Sequence, residues 1–528
     1  ALEGYLVASL VGLDVDIPAD DATVQAFKDA GFPASYWPAL RELKTKHPNW
    51  TFTPMMVNSN YSWDAIINAQ NVPGRSLLPN SWSSAYKSYE TASFDYKTDS
   101  WKPYDSGTWV MANKQTIGYY LDPRNWLYED TVFMFENLKY NSALHTRAGV
   151  ASILAGTFMD GTYIDNFIKA AVSSGVSPYH LAARSRIEVV VPGGGGSGSV
   201  TGTYVDPYKG LDLTGHYNFY NIGAFQGDHP IRNGLEYALY GPDRKPEQTA
   251  TDNEYLIPWK LPDRAIVGGA NFIGKSYINK NQQTIYLQKF DLDDQYDGVF
   301  WHQYMGNLYA PVHEGRTTYK AFMNMNQLNN SFEFIIPVIA GMPEAPVPEP
   351  TDARSRNPWI KTLDVSGLAL NKPFDPAVTE YSMTLNHEIT STTITASPVN
   401  GKATITGTGT YSIMPGTNII TITGVAEAGE TRAYTVSIIR KAADGSIPPD
   451  VYRPQNPTVP ALSFSQQSIK VQSNVMTGLD PAQNLNTVEQ FVSSLGVTAG
   501  YQVQVFKSDG TPQTEMMGTG NIVRINYE

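Results

Sequence analysis

Between residues 392 and 441 apolar and polar positions alternate with a period of two, in TTITAS (392–397), ATITGTG (403–409), TNIITITGV (417–425) and AYTVSIIRK (433–441). Successive side chains on a strand point to opposite faces, so each run presents one apolar and one polar surface. Pro415-Gly416 and the run Glu427 to Glu430 supply turns between them. Val, Ile and Thr fill the pleated positions that β-branched side chains suit. The pattern predicts an antiparallel β-sandwich. Upstream the period changes. Segments 35–46, 62–70, 124–140, 145–156 and 161–173 carry apolar residues at helical spacing, and Ile164, Phe167, Ile168 and Ala171 form one stripe. Strand-like alternation is scarce before residue 187, which predicts a mainly α domain over 31–340.

Proline punctuates the rest. Residues 341–358 hold Pro at 343, 346, 348, 350 and 358, a spacing that disfavours helix and predicts an extended linker. A second seam, 443–460, holds Pro at 448, 449, 454, 457 and 460. The expected order is an N-terminal arm or the end of an upstream module (1–30), the α domain (31–340), a linker (341–358), the sandwich (359–442), a linker (443–460) and a small α+β tail module (461–528). In the tail, Val488, Phe491, Val492 and Leu495 predict a helix capped by Thr487 and closed by Gly496, followed by the strand YQVQVF (501–506). Residues 1–15 are apolar without a basic leader and read as a mature or truncated start, not an intact signal peptide.

Composition narrows the chemistry. The 528 residues are enough for about three to five domains. A net charge of −12 with only 17% charged residues would repel phosphate polymers, so nucleic acid is an unsuitable ligand. Cysteine is absent, which removes disulfides, thiolate metal sites and cysteine nucleophiles. No run of about 18 apolar residues exists to form a membrane-spanning helix. The 20 Phe, 10 Trp and 32 Tyr supply ample core and exclude global disorder. The richness in Tyr, Trp, Asn and Thr resembles that of proteins that handle sugars, where aromatic faces stack on pyranose rings. The eight His include no HExxH and no close pair at metal-ligand spacing, so no metal or cofactor is expected. DLDDQYDG (291–298) fails as a calcium loop because Tyr296 and His302 stand where Gly and Glu are needed. The glycine run 193–196 lacks a following GK[ST] and reads as a mobile flap; no GxSxG seats a serine nucleophile.

One stretch is chemically informative, SPYHLAARSRIEVVV (177–191). Ser177 can cap a helix that begins at Pro178, where a missing N–H costs little. Leu181, Ser185 and Glu188 then share one face. Lining a cleft, the Glu188 carboxyl would be partly desolvated, its pKa raised, and it would suit general-acid work. The alternative is an i,i+4 ion pair of Arg184 with Glu188 on a wet surface. Downstream, HYNFYNIGA (216–224) clusters side-chain amides with tyrosines, suited either to N-acetyl and hydroxyl groups or to plain aromatic packing.

LAARSRIE (181–188) followed by GHYNFYNIGA (215–224) resembles the catalytic core of bacterial endo-β-N-acetylglucosaminidases of glycoside hydrolase family 73. The resemblance extends through FPASYWPALRELKTKHPNWTF (32–52), YSWD (61–64) and YYLDPRNWLYEDTVFMFENLKY (119–140), then PWKLPDRAIVGGANFIGKSYINKNQQTIYLQKF (258–290) and WHQYMGNLYAP (301–311). It implies a multidomain protein whose mainly α, lysozyme-like catalytic domain cuts peptidoglycan glycan strands after N-acetylglucosamine. Position by position it implies Glu188 as catalytic acid, Tyr217, Asn218 and Asn221 along the sugar groove, and Tyr277 facing the sugar. The DPRN motif (122–125) is expected to be structural. The chain departs from the family in Val189 to Val191 and Pro192, where relatives usually carry a small polar or glycine-containing turn, which leaves the register of the flap and the partner carboxylate open. Glycosidase carboxyl pairs lie about 5–5.5 Å apart when retaining and about 6.5–9.5 Å when inverting. Asp206 and Asp212 are the candidates, ahead of Asp228; participation of the substrate acetamido group is the other route. Implied too are secretion to the wall or surface of a Gram-positive bacterium, a monomer, and peptidoglycan as partner. The pI near 5.2 argues against clinging to anionic wall polymers by charge. Competing readings are a same-fold muramidase or lytic transglycosylase and a non-catalytic glycan-binding surface protein. The run LDVSGLALNKPFDPAVTEYSMTL (363–385) resembles cadherin-like sandwich repeats and carries no catalytic constellation, as a spacer or wall-facing module would.

Overall fold

The computed structural model describes residues 21–454 except 105–107, 209, 225–228, 295–297 and 367; in the tail it describes 470–472, 475–477, 488–495, 501–507, 512 and 522–527. The described residues form two compact units, one within 1–80 and 104–350, the other within 81–103 and 351–528.

The first unit is mainly α. Helices Trp37–Lys46, Trp63–Gln70, Arg147–Leu154, Ile164–Ser174 and Pro178–Val189 stand where helical spacing predicts them. The predicted helix at 124–140 is instead two 3-10 turns, Pro123–Trp126 and Val132–Phe135. The reason is visible in burial: Val132, Phe133, Met134 and Phe135 are all fully enclosed, so their apolar run reflects burial on every side and not a one-sided helical stripe. A two-stranded parallel pair, Thr51–Met56 with Glu333–Val338, sets Phe52 opposite Phe334. Trp50, Phe133, Phe322 and Phe332 close around it, with Phe52 and Phe334 stacked at 5.5 Å. Helix Pro262–Ser276 packs against Ile164–Ser174. Its Gly269 is required there, because a Cβ would lie 2.4 Å from the Tyr220 ring.

The 341–358 stretch is not a free linker. Arg124 donates to the carbonyls of Pro343, Glu344 and Ala345, and Asn125 donates to that of Val347. Asp122 holds Arg124 by ion pair and accepts from the Val347 N–H. DPRN therefore anchors the segment as a strap.

The second unit is a β-sandwich. Strands Ile360–Val365, Ser391–Pro398 and Gly409–Ser412 form one sheet. Strands Glu380–Leu385, Thr404–Thr406, Gly416–Val425 and Thr431–Arg440 form the other, with Val451–Tyr452 added beside Gly416–Val425. Ile394, Tyr411, Ile422 and Val436 meet between the sheets. The sandwich is not purely antiparallel as predicted: Glu380–Leu385 runs parallel to Thr431–Arg440, because the chain visits the opposite sheet between the two. Residues 81–103, which lie within the span expected to be α, belong to this unit. Tyr96 stacks on Trp359 at 5.4 Å, and Asn357 donates to Tyr96 and Asp99. In the tail, helix Val488–Leu495 lies in a small cluster with Val505 of the Tyr501–Phe506 strand; Thr487 and Gly496 lie outside the described residues.

Candidate active site

Helix Pro178–Val189 begins as its sequence dictates, with the Ser177 hydroxyl accepting from the His180 N–H and Pro178 in the first turn. Leu181 and Ser185 are fully buried, and Ser185 donates to the Phe219 carbonyl at 2.9 Å. The helix thereby locks onto the YNFYN loop. Glu188, one turn on, emerges at the surface. Among the described residues no ion pair joins it to Arg184. Its Oε2 accepts from Asn221 Nδ2 at 3.3 Å, and its carbonyl accepts from the same amide at 2.8 Å. Asn221 reaches it from a left-handed backbone (φ 50°), which Asn tolerates better than most residues.

Glu188 stands on the shared edge of two cavities, of about 360 and 560 Å³. The larger is bordered by Ser199, Asn221, Ile231 and Phe272. The smaller is bordered by Glu136, His180, His313, Glu314 and Phe322. Arg184 borders both and has no hydrogen-bond partner among the described residues. Glu188 thus faces concave surface on two sides. The desolvation expected of it is not supplied by the protein, since the residue is exposed; a chain lying across both cavities would have to supply it.

The other expected residues divide. Asn221 borders the larger cavity. Asn218 is not: it is fully buried, its Nδ2 donates to the carbonyls of Ile222 and Gly234, and its Oδ1 accepts from Tyr220 and Ile222. Every polar position is satisfied internally, so nothing is left for a sugar. Tyr217 packs over Gly202, where a Cβ would lie 2.5 Å from its hydroxyl, and borders neither cavity. Tyr277 stacks on His302 at 4.5 Å and meets Tyr304 edge-on at 6.4 Å, and it borders neither cavity.

Neither proposed partner carboxylate borders the cavities that Glu188 borders. Asp206 is buried and caps its own loop, accepting from the N–H groups of Tyr208, Gly210 and Leu211 and pairing with Arg232. Burial pushes its carboxyl up, but those donors together outweigh it and hold it below the usual range. Asp212 accepts from Thr214 N–H at 3.2 Å in an exposed turn. Asp228 lies outside the described residues. The glycine run is no loose flap either: Phe158 N–H donates to Gly194 O, and a Cβ on Gly194 would meet the Gly156 carbonyl at 2.5 Å.

Instead the smaller cavity gathers acids from distant segments. Glu314, on helix Ala310–Asn324, accepts from the Tyr304 hydroxyl at 2.8 Å, and burial raises its pKa. Glu136, at the end of the Val132–Phe135 turn, is 3% exposed and is pushed by burial up to about 8. Burial, and then Arg184, lower His180 to about 3, leaving it neutral. His180, Arg184 and Glu188 repeat at i, i+4 and i+8, a signal present in the sequence. Glu136 and Glu314 carry no local signal; only the tertiary fold brings them here.

A family model for the cadherin-like beta sandwich domain matches residues 360–441. The chain is 26% identical over 229 residues to the "Beta-N-acetylglucosaminidase" of Bacillus subtilis (strain 168), covering 43% of this chain and 23% of that protein. It is 26% identical over 188 residues to the "Bifunctional autolysin" of Staphylococcus aureus, covering 35% of this chain and 13% of that protein. Its match therefore spans less than a quarter of these curated relatives' own lengths. Among solved structures it is similar to S. aureus glucosaminidase B (20% identity, TM-score 0.34, 55% of this chain and 93% of that one). It is also similar to the major bifunctional autolysin (19% identity, TM-score 0.35, 55% and 98%).

Proposed function

We propose that this chain is a cell-wall hydrolase that cleaves the β-1,4 bond between N-acetylglucosamine and N-acetylmuramic acid in peptidoglycan, through a lysozyme-like catalytic domain. The carrying observation is the placement of Glu188 between two contiguous cavities, oriented by Asn221. The likeness to a β-N-acetylglucosaminidase and to bifunctional autolysins supports the bond assigned. A glycan strand bound across both cavities covers Glu188, withdraws it from water and leaves it to protonate the leaving oxygen. The free Arg184 guanidinium beside it offers a charge partner to an anionic wall substituent. The protein acts as a monomer at the wall or surface of a Gram-positive bacterium, with the sandwich and the 461–528 module as spacers or wall-facing parts.

Glu188→Gln should abolish clearing of purified walls, a loss of about 10²–10⁴-fold in rate, while wall sedimentation and melting stay unchanged. Borohydride-reduced wild-type digests should carry glucosaminitol ends. Muramitol or anhydro-muramic ends would transfer the chain to the muramidase or transglycosylase reading. Wall binding without new reducing ends would make it a glycan-binding protein.

A further inference from the structure

Glu136 is the most enclosed acid in the groove. Its backbone is pinned, with its N–H donating to Phe133 O at 3.2 Å and a β-bridge to Phe334. Its carboxyl borders the 360 Å³ cavity and has no hydrogen-bond or ion-pair partner among the described residues. Leaving such a group unpaired is costly. Burial keeps it neutral, with a pKa pushed up to about 8, so near pH 7 it offers an O–H donor. Apolar Ala183, Ile285 and Phe322 share the same cavity. A donor beside apolar surface fits an acetamido group, whose carbonyl needs the donor and whose methyl needs the apolar contact.

We infer that the cavity beside Glu188 is a subsite for the acetamido group of an N-acetylhexosamine, with the Glu136 carboxylic O–H donating to the acetamido carbonyl oxygen. The choice of ligand rests on the glucosaminidase reading above, whereas the test reads binding and not hydrolysis. The charged and titratable groups that share the cavity with Glu136 are His180, Arg184 and Glu188 from helix Pro178–Val189 and His313 and Glu314 from helix Ala310–Asn324. Segment Ile285–Phe290 contributes Ile285 alone to the cavity.

Calorimetric titration of the full chain with the β-1,4 tetramer of N-acetylglucosamine should show Kd rising about tenfold between pH 7 and pH 9, as an acid of pKa near 8 loses its donor proton. Glu136→Gln, whose amide keeps an N–H donor, should bind within about threefold of wild type and lose the pH dependence. Glu188→Gln and Glu314→Gln should each retain it. Cellotetraose, which lacks acetamido groups, should bind more weakly and ignore the Glu136 change. Folding of the variant is read by melting. A carboxyl with a raised native pKa contributes stability below about pH 4.5 that is lost as pH rises toward 8. Glu136→Gln should therefore melt higher than wild type at pH 8 and close to it at pH 4.5. Flat wild-type affinity from pH 7 to 9, or an unchanged pH response in Glu136→Gln, would overturn the subsite. If wild type fails to cut walls but this binding pattern holds, the hydrolytic reading falls and the subsite stands.

Discussion

Asn218 and Asn221 stand three residues apart in one motif and do opposite work. The first is a core strut with four internal hydrogen bonds; the second holds the carbonyl and carboxylate of Glu188. Asn218→Ala strands buried carbonyls and should cost about 2–3 kcal/mol, read as a lower melting temperature. Asn221→Gly keeps the left-handed backbone and removes only the amide. It should leave melting nearly unchanged and lower kcat about tenfold, with KM little altered. The sequence cannot separate these two asparagines, because a loop has no period to say which side chain turns inward.

At the scale of elements, helix Pro178–Val189 was legible from its cap, its proline and its length. Which face borders the cavities was not. Glu188 lies in two rows at once, with Leu181 and Ser185 or with His180 and Arg184. Docking of Phe219 over Ser185 buries the first row and leaves the second to the groove. The Pro-rich strap shows the converse. Its composition reads as an extended linker, and it is extended, but DPRN fixes it to the α unit. Arg124→Ala would leave Asp122, which is fully buried, without its partner and free three strap carbonyls. Breaking such a pair costs about 3–5 kcal/mol. The variant should melt earlier and be nicked between residues 343 and 350 by a protease that spares wild type.

At the scale of the molecule, the chain leaves the α unit at residue 80, builds 81–103 into the sandwich unit, returns, and leaves again at 350. Trp359 is held between Tyr96 at 5.4 Å and the Arg432 guanidinium at 4.3 Å, and Asn400 donates to Asp99. A fragment spanning 351–454 should therefore melt well below the same fragment carrying 81–103 fused through a flexible linker. A deficit of about 2 kcal/mol corresponds to roughly 8–16 °C in a domain of this size. Equal melting temperatures would show that the insertion contributes nothing.

The sequence by itself determined what depends on neighbours in the chain. Period-two runs set the sandwich strands, caps and stripes set the helices, and the ordered motifs pointed to Glu188 and to Tyr217, Asn218 and Asn221 alike. Tertiary structure alone decided what depends on segments hundreds of residues apart. It directed Asp206 to its own loop and Asn218 to the core, gave 81–103 to the sandwich, and brought Glu136 and Glu314 to the cavity beside Glu188. The physical reason is that burial and cavity geometry are set by whatever packs across a side chain, and no local pattern of polarity encodes that partner.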